Sequence, residues 1–280
     1  MKVEAAGASS LFQPSNSQNQ AHQVRDVFSA LLEAAGREGY ASAEAVDSEQ
    51  PVEEQIQTTW TDWFDLERVS GRYKTEKNAE TLRQEYGDLL VRAHGEDGYT
   101  RPQDFLNSLS KEELETVQTI HRLADPINVN GLTEEGSLNL LLPPPAQVDL
   151  NHDGLTRSGL AYGLRFPDST TPPEVTSAWE EATANMPLSE RMTFELQMKL
   201  PVLFANFYVD ENGAYSHHFE PGDPEFRNPM ADPDYSYFNA TQAQLDGLEF
   251  SKNLIPQNEY ERRTEFWTLF QGLLDEKGAK

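Results

Sequence analysis

Apolar side chains recur every three or four residues over most of the chain, and this spacing predicts α-helices. In residues 21–36, Val24, Phe28 and Leu32 fall on one face, and glycines follow at positions 36 and 39. The same period predicts further helices over residues 52–69, 75–94, 111–124, 189–208, 241–254 and 257–276. The sequence therefore predicts a mainly α, multi-helix globular domain.

Capping residues mark several helix boundaries. Ser110 and Glu113 have the spacing of a capping box, in which each side chain binds the backbone N–H of the other residue. Thr171, followed by two prolines and Glu174, predicts the start of another helix. Pro201 lies inside residues 189–208, so we expect either a kink or a junction of two helices there.

The helical pattern is interrupted in two places. Residues 137–142 and 160–166 are short apolar runs, and we interpret them as two strands of a small β-containing insertion around 137–166. Asn212-Gly213 is typical of a hairpin turn. It precedes a long irregular loop rich in proline and aspartate, residues 214–240, and loops of this length are often functional.

Composition along the chain suggests three regions. Residues 1–20 are rich in Ser, Asn and Gln, so we predict a disordered N-terminal tail, which could also be an export signal that is not cleaved. Residues 21–50 are predicted to form a short helix plus a linker. Residues 51–280 are predicted to form a single helical domain, with a possible sub-boundary near 126–170.

The charge balance limits the classes of partner. The 47 acidic and 22 basic residues give a net charge of −25, and such a field repels the phosphate backbone of nucleic acids. No apolar run approaches the eighteen residues of a membrane-spanning helix, and there is no cysteine for disulfides or thiolate metal sites. We therefore expect a soluble acidic protein of bacterial type, cytoplasmic or exported without a cleaved signal peptide.

One short stretch has a recognisable chemical pattern. Oxygen-bearing side chains alternate at Asp149, Asn151 and Asp153, Gly154 follows, and Leu155 can offer its carbonyl oxygen. Calcium ions bind six to eight such hard oxygens. The stretch resembles the opening of an EF-hand or dockerin calcium loop, and this resemblance covers residues 149–160 only.

The resemblance implies a weak Ca²⁺ site, because the loop departs from the pattern in its second half. Position 12 is Leu160 instead of an acid, and three prolines at 143–145 replace the entering helix. The coordination shell would need one more acid from elsewhere, and the candidates are Glu134, Glu135 and Asp168. The alternative is a surface turn in which Asp and Asn side chains bind their own backbone.

Other candidate chemistry is less specific. His217 and His218, with Glu220 and Asp223 nearby, lie in the long loop, but their spacing does not match a metal motif. His121 adjoins an apolar stripe and is predicted to be a core residue. We identify no catalytic residue and no organic cofactor.

The sequence therefore favours a non-enzymatic binding or structural protein with one divergent Ca²⁺ loop. Two alternatives remain. One is an exported protein that acts on a protein partner, and the other is a hydrolase with its site in residues 210–240.

Overall fold

A computed structural model describes residues 16–46 and 49–279 of the 280-residue chain. Within these ranges it contains ten α-helices: α1 (Asn16–Ala34), α2 (Val52–Ser70), α3 (Ala79–Gly95), α4 (Pro102–Ser108), α5 (Lys111–His121), α6 (Glu134–Leu138), α7 (Pro173–Thr183), α8 (Leu188–Phe204), α9 (Tyr237–Ser251) and α10 (Gln257–Glu276). Short 3-10 turns cover Val129–Gly131, Asn139–Leu141, Pro144–Ala146 and Pro229–Ala231. The prediction of a mainly α fold is confirmed.

The strands form two separate antiparallel hairpins. In the first hairpin β1 (Thr156–Ser158) pairs with β2 (Ala161–Gly163), and in the second β3 (Phe207–Val209) pairs with β4 (Tyr215–His218). The second hairpin turns at Asn212-Gly213, where Gly213 has a φ of 78°, a left-handed conformation that glycine adopts without strain. The predicted hairpin turn is therefore present.

The predicted strand over residues 137–142 is wrong. These residues belong to α6 and to the 3-10 turn that follows it. Thr133 caps the helix by accepting a hydrogen bond from the N–H of Gly136. The whole run is buried, including the polar residues Ser137 and Asn139, so its sequence has no exposed face whose period would separate helix from strand.

The N-terminal helix begins earlier than the composition predicts. Residues 16–20, assigned to the disordered tail, lie in α1, and residues 1–15 of that predicted tail are outside the described residues. Gln18 is buried and donates a hydrogen bond to the carbonyl oxygen of Glu180 at 3.1 Å. This contact with α7 gives a polar turn of helix a tertiary partner, which composition alone cannot indicate.

The first hydrophobic core lies among α1, α2, α3 and α5. The apolar face of α1 packs into it, with Val24, Phe28 and Leu32 fully buried. Trp60 and Tyr86 form its aromatic centre, with ring centroids 4.9 Å apart. The buried apolar residues of this core end at Val148, and those of the second core begin at Phe166.

The second core is built from α7, α8, α9 and α10. Trp179 contacts Phe270 edge to face, with ring centroids 5.2 Å apart, and Phe194 stacks on Phe266 at 3.8 Å. Trp267 of α10 is completely buried at its centre. The wide apolar face predicted for this helix is therefore a core face.

Helix α8 continues through Pro201. Proline lacks an N–H, so it leaves the carbonyl oxygen four residues earlier, that of Gln197, without its helical donor. The side chain of Gln244 on α9 donates to this oxygen at 3.4 Å. Pro201 therefore lies within a single helix, Leu188–Phe204, and does not mark a junction of two helices.

Residues 149–172 connect the two cores and are held to both of them. The N–H of Ala41 donates to the carbonyl oxygen of Ser169, and the N–H of Asp149 donates to the Ser169 hydroxyl. Asp168 forms an ion pair with Lys199 of α8, and both side chains are buried.

Among the described residues, no helix is both long enough and apolar enough to cross a bilayer.

Replacing Trp267 with alanine should lower the free energy of unfolding by about 3–5 kcal/mol, because it leaves a large cavity in the second core. Urea denaturation would measure the change. Leu269→Ala is the matched control, because Leu269 is on the same helix but is half exposed, and its effect should stay within about 1 kcal/mol. A Trp267→Ala variant as stable as Leu269→Ala would contradict this assignment of the core.

Candidate functional site

The loop at residues 149–155 is wound around the Asp149 carboxylate. Asp149 is buried, its Oδ1 accepts the N–H of Asp153 at 3.2 Å, and its Oδ2 accepts the N–H of Gly154 at 2.8 Å. Asn151 Oδ1 also accepts the Asp153 N–H, and Asp153 Oδ1 accepts the N–H of Leu155 at 2.8 Å. The bonds accepted by Asn151 and Asp153 form Asx turns, and together with the longer-range bonds to Asp149 they draw the loop into a tight coil.

Gly154 is required by this coil. Its φ is 84°, and an added Cβ would lie 2.9 Å from the side chain of Asn228. The Asn228 amide donates to the carbonyl oxygen of His152, so the second half of the chain contacts the loop at this point. A residue with a side chain at position 154 would strain the backbone and push this contact apart.

Glu135 reaches the loop from α6. Its Oε1 accepts the N–H of Arg157 at 2.7 Å, and its Oε2 accepts the N–H of Leu150 at 3.3 Å. Burial, together with the charges of Asp149 and Asp153, raises the pKa of Glu135 to about 8. Burial, with a smaller contribution from Asp153, also raises the pKa of Asp149 to about 6. Three carboxylates therefore converge around one loop.

The other two candidates for the additional acid are engaged elsewhere. Glu134 is largely exposed and pairs with Arg37 at 2.7 Å. Asp168 is paired with Lys199 and also accepts hydrogen bonds from the hydroxyl groups of Thr170 and Thr171. Of the three acids predicted from the sequence, Glu135 is the one that the fold brings to the loop.

The side chains as they stand do not form a ready metal site. In residues 16–46 and 49–279, no three His, Cys, Asp or Glu side chains are grouped so that they could hold a metal ion. The oxygens of Asp149 and Glu135 each accept a backbone N–H instead. Binding of a cation would therefore require these side chains to move closer together.

His217 and His218 lie on the exposed hairpin formed by β3 and β4. His217 stacks on Tyr208 with ring centroids 4.7 Å apart, and His218 stacks on Phe207 at 5.0 Å. His218 also contacts Glu220 through Nε2 at 2.5 Å. These contacts order the hairpin, and a hydrolase site in residues 210–240 stays a prediction.

His121 is a structural residue of the first core. Its Nε2 lies 3.1 Å from the Tyr86 hydroxyl and from the carbonyl oxygen of Leu140, and its Nδ1 lies 3.0 Å from the Gln147 amide nitrogen. Burial lowers the pKa of His121 to about 3, so the ring is neutral at physiological pH. It links α5 to the segment that leads into the loop.

Two clefts open at the junction of the cores. The first, of about 950 Å³, lies beside the loop and is lined by residues that include Tyr40, Asp149, His152, Tyr235 and Tyr237. The second, of about 640 Å³, lies between α1, α2 and α8. We call it the arginine cavity because its lining includes five arginines: Arg25, Arg72, Arg122, Arg165 and Arg191.

Sequence reasoning missed the arginine cavity. Its five arginines come from five separate parts of the chain, and none stands in a basic run that would mark a binding patch.

Protein-family models, curated proteins and solved structures give no match to this chain.

The loop makes stability depend on pH. A carboxyl group whose pKa is raised by folding stabilises the protein below its unfolded pKa, and this contribution is lost as pH rises through the folded value. With folded pKa values of about 8 for Glu135 and about 6 for Asp149, the free energy of unfolding should fall between about pH 5 and pH 8. The fall should be on the order of a few kcal/mol.

Glu135→Gln should flatten this pH dependence, because the amide cannot ionise and its oxygen can still accept the Arg157 N–H. Glu134→Gln is the matched control, since Glu134 is the neighbouring residue and its side chain is exposed. Denaturant unfolding at several pH values would measure both. A decline that is the same in Glu135→Gln and in Glu134→Gln would show that Glu135 is not its source.

Proposed function

We propose that this protein is a non-enzymatic binding protein whose loop 149–155 takes up Ca²⁺ at the junction of its two helical cores. The observation that carries the proposal is the approach of Glu135 to the loop from α6, opposite Asp149 and Asp153. This acid stands in for the one that the loop lacks at its twelfth position.

Electrostatics favours a cation between these groups. The pKa values of Asp149 and Glu135 are raised partly by other carboxylates nearby. The charge of Lys199 lowers the pKa of Asp149, but Lys199 is already paired with Asp168. A divalent cation would favour the ionised forms of Glu135 and Asp149, so its binding would lower their pKa values and release protons.

The loop has enough oxygens for a weak site. An ionised carboxylate has about four acceptor positions, so the turn hydrogen bonds of Asp149 and Asp153 leave lone pairs free. With the side chains of Asn151 and Glu135 and the carbonyl of Leu155, the set approaches the six to eight oxygens of Ca²⁺. Since Glu135 must turn toward the ion, we expect a dissociation constant of about 10⁻⁴–10⁻³ M.

Such an ion would have a mechanical effect, because the loop touches both cores. The Asp149 N–H binds Ser169, and the His152 carbonyl accepts the Asn228 amide from the second half of the chain. Glu135 belongs to the first half. A cation bound by both Glu135 and the loop would hold the two halves of the chain in one arrangement. A fixed arrangement favours a protein that binds a partner through its surface.

Calcium should therefore stabilise the protein, and more at pH 8 than at pH 5, where protons compete for the ligands. A tenfold excess of free Ca²⁺ over its dissociation constant should add about 1.4 kcal/mol and raise the melting temperature by a few degrees. Differential scanning calorimetry would measure the shift.

The controls separate a bound ion from general screening of the charge of −25. Asp149→Asn combined with Asp153→Asn should abolish the shift, whereas Asp97→Asn, an exposed aspartate elsewhere, should leave it unchanged. Mg²⁺ should have less effect, because it holds its own waters. If Ca²⁺ and Mg²⁺ act equally and the double variant responds like wild type, the loop is an ordinary Asx turn.

A further inference from the structure

We propose that the arginine cavity is a binding site for a small, multiply negative molecule that carries phosphate or carboxylate groups. The proposal is independent of calcium, since the loop 149–155 contributes no residue to this cavity. Its basis is a local reversal of charge, two guanidinium groups that bind neutral acceptors, and a volume suited to a small ligand.

The charge of the cavity is opposite to that of the chain. Its lining includes five arginines but only three acidic residues, Glu67, Glu180 and Glu195. The whole chain has more than twice as many acidic as basic residues. A protein with this composition repels anions over most of its surface, so a pocket of positive charge would concentrate them at one place.

Two of the guanidinium groups are held by neutral acceptors. Arg165 donates to the carbonyl oxygen of Pro144 at 2.5 Å and to the side-chain oxygen of Gln147. Arg72 donates to the carbonyl oxygen of His121 at 3.2 Å. Neither contact neutralises the charge, so both cations can still bind an anion.

The acidic residues of the lining use only some of the arginine donors. Arg25 binds Glu180 through one terminal nitrogen at 3.0 Å. A guanidinium group carries five N–H donors, so this ion pair does not use all the hydrogen-bonding capacity of Arg25.

The arginines also repel each other. Burial is the main cause that lowers the pKa of Arg165. The charges of Arg72 and Arg25 lower it further, whereas Tyr40 and Glu195 act in the opposite direction. Bringing like charges together at the junction of two cores is unfavourable unless something offsets it. An anion placed among them would turn this repulsion into attraction.

The shape and walls of the cavity fit a small molecule. Its volume of about 640 Å³ lies within the range of small-molecule sites. Trp63, Phe166 and Trp179 are in its lining and give it apolar walls beside the arginines. The planar guanidinium fork binds phosphate and carboxylate through two parallel hydrogen bonds. The cavity can therefore hold a compact ligand with two or more anionic groups.

Pyrophosphate and citrate are suitable probes of the two oxyanion types. Each should be titrated into the full chain at constant ionic strength, with tryptophan fluorescence and calorimetry as readouts, because Trp63 and Trp179 line the cavity. We expect saturable binding of one molecule per chain for at least one probe. The tighter probe identifies the anionic group that the cavity prefers.

Arg122→Gln and Arg191→Gln, combined, should weaken binding by about tenfold or more, as expected for loss of charged hydrogen bonds. Arg122 is exposed, and Arg191 has only one carboxylate partner, Glu195 on the next helical turn, so we expect this variant to fold. An unchanged circular dichroism spectrum would verify that. Arg101→Gln, at an exposed position outside the cavity, is the matched control and should bind like wild type.

Two results would overturn the proposal. One is the absence of saturable binding of either probe up to about 10 mM, the upper end of weak specific affinities. The other is an equal affinity in the double variant and in Arg101→Gln, which would place the anion elsewhere on the protein. A tenfold loss confined to the double variant supports the site.

Discussion

The buried ion pair between Asp168 and Lys199 fixes the connection between the two cores. Lys199 is fully buried, so its charge needs a partner at that position. Burial by itself raises the pKa of Asp168, but Lys199 and the hydroxyls of Thr171 and Thr170 outweigh this and hold it below its usual range. Loss of either partner would leave a charge without compensation, at a typical cost of about 3–5 kcal/mol. Helix α8 and the connecting segment are therefore locked in one arrangement.

That arrangement separates charges of opposite sign. Asp149, Asp153 and Glu135 gather at the loop, and five arginines gather in the cavity between α1, α2 and α8. Both groups adjoin the connecting segment, and both contain repulsion that a ligand of the opposite charge would relieve. The two proposed ligands, a calcium ion and a small polyanion, follow from the same organisation.

The helical pattern was predictable because its cause is local. The capping box of Ser110 and Glu113 is present with both of its hydrogen bonds, and the apolar face around Trp267 is buried as expected. Predictions were wrong where the local pattern is ambiguous or where a distant contact intervenes. Residues 137–141 form helical turns in a buried run whose pattern does not separate helix from strand, and residues 16–20 lie in a helix whose Gln18 contacts α7.

The sequence by itself determined the Asx turns of the loop, because every donor and acceptor there lies within six residues of Asp149. It also determined that a further acid would be needed, since Leu160 cannot supply one. Only the tertiary structure decided that Glu135 lies beside the loop and that five scattered arginines share one cavity. The physical reason is that hydrogen bonds of a turn join near neighbours, whereas a cavity is made by side chains that the packing of two cores brings together.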